Sequence, residues 1–366
     1  MLCSFAPTGR CEARWWPCGA AASNAGAARS RTSSSSSLTP ARAVNVKNEL
    51  SSFAGAAGGR PNIVRPISTE RRRVAAAASQ SNCSRDLLVV GPGVLGSLVC
   101  QRWLKEFPAA TVVGQTNTDN AHERLLSLGV MPRLKDRAGE AKFPFVVFSA
   151  PPSGSEDYAA EVEAALRLWD GTGGFVFTSS TAVYSGADGV PCDESTPQFK
   201  IGESPRADRL LNAEASVVNG GGCVVRLSGL YHSQRGAHMY FLKTPTVASR
   251  PDAWVNLVHY EDAATACVEA LAAQLEGKST GGEIFLATDG VPITRQQMVE
   301  SCLSCAAYEG GSMPEFSVQD GSLGKSMTNP QTRAKLGWAP AYPSFDEFVA
   351  AGAKDSFYPA RKGKRY

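Results

Sequence analysis

The chain has 366 residues, 43% hydrophobic and 19% charged, with ten cysteines and a formal net charge of +3. This suits a globular protein with a sizeable core and excludes a collagen-like, wholly disordered or disulfide-framework chain. The charge is uneven: residues 1–80 carry ten Arg, one Lys and three Glu, a net +8, leaving −5 for the remainder and arguing against a nucleic-acid-binding body.

Residues 1–80 are rich in Ala, Ser and Arg, include the run Ser33 to Ser37, and show no sustained hydrophobic periodicity. Such a segment cannot bury enough apolar surface to offset its ordering entropy. It lacks the apolar h-region of a secretory signal, and no stretch is long and apolar enough to span a bilayer. The acid-poor composition, and the shift from Arg to small residues in RRRVAAAASQ (Arg71 to Gln80), point to an organellar transit peptide. A plastid address is favoured over a mitochondrial one. The mature protein then begins near Ala75 to Ser81 and resides in the chloroplast stroma. A plain disordered tail is the alternative.

From Arg85 short apolar runs alternate with amphipathic stretches, which predicts βαβ units and an α/β fold built on a doubly wound parallel sheet. DLLVVG (Asp86 to Gly91) reads as the first strand, VLGSLVCQRWLKEF as a helix and ATVVGQ (Ala110 to Gln115) as the second strand. AHERLLSLG is a helix with a glycine stop. FPFVVFSA (Phe143 to Ala150) and GGFVFTSS (Gly173 to Ser180) are strands around the helix DYAAEVEAALRLW. The helix ADRLLNAEASVV leads to the strand GGCVVRLSGLY (Gly221 to Tyr231). WVNLVHYEDAATACVEALAA starts as a strand and turns helical near Glu261. GEIFLATDG is a strand and ITRQQMVESCLSCAAY a helix. LGWAPAYPSF closes the ordered region, and ARKGKRY is a basic tail. The expected division is a Rossmann core at 81–235, then 236–355 as its last elements with a small substrate-side lobe, then the tail at 356–366.

Gly91-Pro92-Gly93-Val94-Leu95-Gly96 is G-x-G-x-x-G directly after a strand and opening a helix. The first glycine permits a tight turn, the second lets backbone approach a pyrophosphate, and the third lets helix pack on strand. The diphosphate sits on the positive end of the helix. A dinucleotide contact is therefore expected at Gly91, Gly93, Val94, Leu95 and Gly96. At the end of the second strand, Thr116 and Asn117 stand where NAD-binding chains usually place an acid. Asp119 comes later, and Arg124 lies on the following helix. The missing acid favours NADP slightly over NAD. Ala150 and Pro151 end a strand at the cofactor rim, where small residues permit close approach. Cys302-x-x-Cys305 lies in a helical run where both side chains can pack; a redox pair is the weaker reading.

Thr178-Ser179-Ser180-Thr181-Ala182-Val183-Tyr184-Ser185-Gly186 resembles the S-S-x-x-V-Y-G strand end of extended short-chain dehydrogenases, the epimerase and dehydratase group. GVPCDESTP (Gly189 to Pro197) is similar to that family's P-x-x-E-x-x-P loop. RLSGLYHSQ (Arg226 to Gln234) resembles its R-x-x-G-x-Y-G segment, VNLVHYEDAATA (Val255 to Ala266) its I-H-V-x-D motif, and KLGWAPAYPSFDEF its closing L-G-W-x-P segment. The ordered series covers about residues 85–352. It implies a Rossmann fold, nicotinamide-side contacts from Ser179, Gly229 and Tyr231, and a substrate hydrogen bond from Ser180.

In that family the proton is moved by the tyrosine of a Y-x-x-x-K on the next helix. Aligning that helix on Glu214 puts Arg206 at the tyrosine position and Leu210 at the lysine position. No tyrosine occurs between Tyr184 and Tyr231. The chain thus resembles the atypical members, which keep the fold and usually the nucleotide site without the standard pair. Tyr184 and His232 are the candidate replacement proton donors, while His259 and Asp262 read as structural. The expectation is an NAD(P)-dependent oxidoreductase or epimerase-like enzyme acting on a small polar metabolite. A non-catalytic NADP(H)-binding regulatory or assembly protein is the rival. The expected partners are the dinucleotide and a small-molecule substrate, not nucleic acid, in a monomer or homodimer.

Overall fold

The computed structural model describes residues 84–356, apart from 138, 140, 187 and 280. The chain divides into units 1–75 and 76–366, and every described residue lies in the second. The transit segment expected at 1–80 and the tail beyond residue 356 lie outside the described residues.

Seven parallel strands form one sheet: β1 (Leu87–Val90), β2 (Val112–Thr116), β3 (Met131–Leu134), β4 (Phe143–Phe148), β5 (Trp169–Ser180), β6 (Cys223–Leu227) and β7 (Ile284–Ala287). Their order is β3-β2-β1-β4-β5-β6-β7. The chain starts in the middle, winds outward through β2 and β3, then crosses back to β4 and winds the other way. That reversal opens a crevice at the carboxyl ends of β1 and β4.

Helices cover both faces. On one face lie α1 (Val94–Glu106) and α5 (Tyr260–Leu275); on the other lie α3 (Tyr158–Leu166) and α4 (Pro205–Asn219), with the short α2 (His122–Ser127) between β2 and β3. Leu87 and Val89 of β1 join the first core and Leu88 and Val90 the second. Burial on both faces is why this strand reads as an unbroken apolar run rather than an alternating one. Trp103 locks α1 to the sheet: its ring lies 4.7 Å from that of Phe145, and its indole N–H donates to the Arg85 carbonyl at 2.7 Å. Ser204 caps α4 by accepting the Ala207 N–H, with Pro205 opening the helix.

Several elements differ from the sequence reading. β3 was not expected, because MPRL has only two apolar residues and a proline. Pro132 is tolerated there because β3 is the edge of the sheet. GGCVVRLSGLY is not one strand: β6 ends at Leu227, and Gly229–Tyr231 pairs instead with Leu257–His259 in a separate two-stranded sheet. The helix α6 (Arg295–Leu303) stops before Cys305, with the Ser304 hydroxyl turned back on the Glu300 carbonyl. Cys302 is buried, its thiol pushed up to about 12 by desolvation, while Cys305 is half-buried outside the helix. After α7 (Pro330–Leu336), the chain adds α8 (Phe345–Ala350), capped by Ser344, where the sequence reading ends the ordered region. Tyr231, Met298, Phe345 and Phe348 share a separate apolar core beside the sheet. Among the described residues no helix is long and apolar enough to cross a membrane.

Candidate functional site

The glycine loop turns at the β1 carboxyl end. Gly91 has φ +80°, and a Cβ there would lie 2.5 Å from the Ala150 backbone. A Cβ on Gly96 would meet the Ser149 Oγ at 2.6 Å and the Gly91 carbonyl at 2.8 Å. These two glycines therefore serve backbone packing, joining loop, helix and β4 end. Gly93 differs. It is exposed, and the nearest atom to a Cβ there would be the Gly91 carbonyl oxygen at 4.0 Å. Gly93 is also the N-cap of α1 and supplies no side-chain cap, and the first turn carries no acid. The leading N–H groups of this 13-residue helix thus have no side-chain cap, an arrangement suited to an anion.

A groove of about 490 Å³ runs along this loop. Gly91, Gly93, Thr116, Asn117, Ala150 and Pro151, all expected from the sequence, line it together. Val94, Leu95, Gly96, Ser179, Gly229 and Tyr231 do not. Leu95 is a core side chain, so a ligand can meet it only through backbone.

The sequence reading places Arg124 only on the following helix and names neither Arg133 nor Lys135, yet all three stand at or behind this groove. Arg124 folds back from α2, its guanidinium donating to the Ser97 Oγ at 2.9 Å and the Pro92 carbonyl at 3.0 Å. It braces the glycine loop and lines the groove. Lys135, just after β3, lines the same groove and pairs with Glu161 of α3 at 3.2 Å. Arg133 of β3 stands behind the groove and donates to Gln115, which lines it, at 2.9 Å. Thr116 is held by the ring of His122 at 2.8 Å. This end of the groove thus carries hydroxyl, amide and cationic groups. Its one lining carboxylate, Glu161, is already paired.

Beyond the groove, Ser179 and Ser180 part company. Adjacent strand residues point to opposite faces. Ser179 is buried, and its hydroxyl donates to Glu214 of α4 at 2.5 Å. Glu214 also takes two bonds from Arg226, at 3.1 and 2.6 Å, and Arg226 donates to Gln198 at 2.5 Å. Tyr184 lies within this interior, its ring 4.8 Å from the Arg226 guanidinium, and it is fully buried. Burial pushes its phenol above the ordinary range. The expected proton donor is therefore screened from the rim. Ser180 remains half-exposed at the strand end, its Oγ accepting the Ala182 N–H at 3.2 Å.

Tyr231 is fully buried too, packed edge-on against His259, Phe345 and Phe348, with its phenol raised by desolvation. His232 is buried beside Asp355, Nδ1 to Oδ2 at 3.8 Å, and burial holds its imidazole below the usual range against the pull of that carboxylate. Asp355 also receives Ser233 and the His259 Nε2, the latter at 3.0 Å. Asp262 accepts the N–H groups of Ala341 and Tyr342 at 2.6 and 3.0 Å. These groups staple the C-terminal lobe. On α4, Leu210 is buried and Arg206 is exposed.

No protein-family model matches the chain, and no curated protein matches it. Solved structures do. A functionally unknown conserved protein from Silicibacter pomeroyi is 20% identical, with a TM-score of 0.58 over 74% of this chain and 99% of that one. The UDP-glucose 4-epimerase of Thermotoga maritima is 17% identical, with a TM-score of 0.56 over 73% and 97%. The UDP-glucuronic acid 4-epimerase of Bacillus cereus, solved in complex with NAD, is 16% identical, with a TM-score of 0.59 over 73% and 95%. The chain has the Rossmann fold of these epimerases.

Proposed function

We propose that this chain binds a nicotinamide dinucleotide in the groove along Gly91–Gly96, and that NADP fits it better than NAD. The observation that carries this reading is Gly93, whose missing side chain leaves open the approach to the uncapped α1 N-terminus. The bound diphosphate would lie on those backbone N–H groups. Thr116 and Asn117, with Arg124 and Lys135, would surround the adenosine ribose. A 2′-phosphate meets the Arg124 cation and hydroxyls there, and the one lining acid, Glu161, is paired with Lys135.

The second part of the reading is an oxidoreductase or epimerase-like reaction on a small polar metabolite in the plastid stroma. Bound nicotinamide supplies hydride transfer. Ser180, half-exposed at the β5 end, would hold a substrate oxygen. No Tyr-x-x-x-Lys pair stands on α4 to move a proton, and Tyr184 and Tyr231 are buried. That favours a rival worth stating: an NADP(H)-binding protein that regulates or supports an assembly without turnover.

Ser180→Ala separates the two once a substrate is in hand. The enzyme reading expects a loss of turnover of about a hundredfold, as for removal of one polar contact to a reacting oxygen, with dinucleotide affinity unchanged. Unchanged turnover would remove Ser180 from the mechanism.

A further inference from the structure

The first turns of α4 carry Arg206 and Arg209, three apart and so on one side of the helix. This helix is fixed beside the Ser180 turn: Ala207 and Leu210 share a core with Phe177 and Val183, and the Phe199 N–H donates to the Val183 carbonyl at 2.9 Å. On the other side, the Arg209 guanidinium donates to the Pro152 carbonyl at 3.2 Å, one residue beyond the groove-lining Pro151. Arg209 therefore reaches the groove lip, and Arg206 lies about one turn nearer the α4 N-terminus on the same side of the helix.

Neither arginine makes an ion pair among the described residues. The neighbouring acids turn to backbone instead: Glu203 takes the Lys200 N–H at 2.8 Å, and Asp208 takes the Gly202 N–H at 3.1 and 3.2 Å. Arg206 is exposed and has no hydrogen-bond or ion-pair partner among the described residues. A guanidinium is a donor-only fork that cannot shuttle a proton but matches a carboxylate or phosphate in two parallel bonds. Where the resemblance expects a proton-moving side chain, this chain presents an anion receptor.

We infer that Arg206 and Arg209 form a subsite for the carboxylate or phosphate of an anionic substrate, beside the Pro151–Pro152 lip. The inference rests on the dinucleotide reading of the adjacent groove and narrows the metabolite class to one bearing an oxyanion. The Arg209 bond to Pro152 places the subsite against the chain segment that a dinucleotide would touch.

The test is a calorimetric titration of the full chain, saturated with NADP+, against inorganic pyrophosphate and malonate. At least one should bind the wild type, and the Arg206→Gln/Arg209→Gln double variant should bind it at least tenfold more weakly. NADP+ affinity should agree within twofold between the two proteins. Equal oxyanion affinity, or no oxyanion binding to either, overturns the subsite and leaves the dinucleotide site standing. A parallel loss of NADP+ affinity also overturns it, since the arginines would then serve the dinucleotide's own phosphates. Should NADP+ bind neither protein, the dinucleotide reading fails separately. The same oxyanion comparison without NADP+ then decides the subsite: a tenfold loss upholds it and equality removes it.

Discussion

Gly93→Asp is expected to weaken dinucleotide binding by about a hundredfold or more, roughly 2.7 kcal/mol, while leaving the fold intact. The added Cβ has no protein atom closer than 4.0 Å, so it creates no internal clash. The backbone there has φ −70° with ψ −144°, outside the regions that L-residues favour, so the cost of the substitution is local backbone strain and not a clash. The carboxylate would occupy the approach to the α1 N-terminus and repel the diphosphate. Unfolding by urea should show a loss of no more than about 1–3 kcal/mol, the cost of a sparsely populated backbone conformation, with the cooperative fold retained. The contrast with Gly91 makes the argument specific. Gly91→Ala meets the Ala150 backbone at 2.5 Å in a left-handed conformation, so it should damage the fold as well as the site. If Gly93→Asp bound dinucleotide normally, the diphosphate would not lie on this loop.

The second large effect concerns the interior behind Ser180. Glu214 and Arg226 are each 3% exposed and joined by two hydrogen bonds. Arg226→Met should lower stability by about 3–5 kcal/mol, because it strands a buried carboxylate. Most of that should return in the Arg226→Met/Glu214→Gln double variant, where no charge remains unpaired. Denaturant unfolding of the two variants measures the difference. A loss below about 1 kcal/mol in the single variant would mean that water or Gln198 reaches Glu214 and that the network is not closed.

This network also marks how far the sequence could be read. The glycine loop was legible because its chemistry is backbone chemistry: spacing, strand before and helix after determine it. Thr116, Asn117, Ala150 and Pro151 followed from their place at strand ends. Ser179 and Ser180 were not separable by type, and only the alternation of β5 sends one to Glu214 and the other to the rim. Tyr184 and Tyr231 carry the right functional group, but burial decides their availability, and burial depends on partners such as Arg226 and Phe345 far along the chain. Lys135 was missed, and Arg124 was set aside as lying on the following helix, for a topological reason. Their approach to the groove depends on α2 folding back and on β3, an edge strand whose proline and short length give little periodic signal. Arg206 was seen as a departure from a motif; its position on the side of α4 that reaches the groove lip is visible only once α4 is packed.

The most direct test of the whole account is a calorimetric titration of the full chain with NAD+, NADH, NADP+ and NADPH. The account predicts micromolar binding of at least one pair, with the 2′-phosphorylated pair tighter, reflecting the cationic adenosine end formed by Arg124 and Lys135. Failure of all four to bind below the millimolar range would contradict it, and the fold would then be a scaffold whose groove serves another ligand.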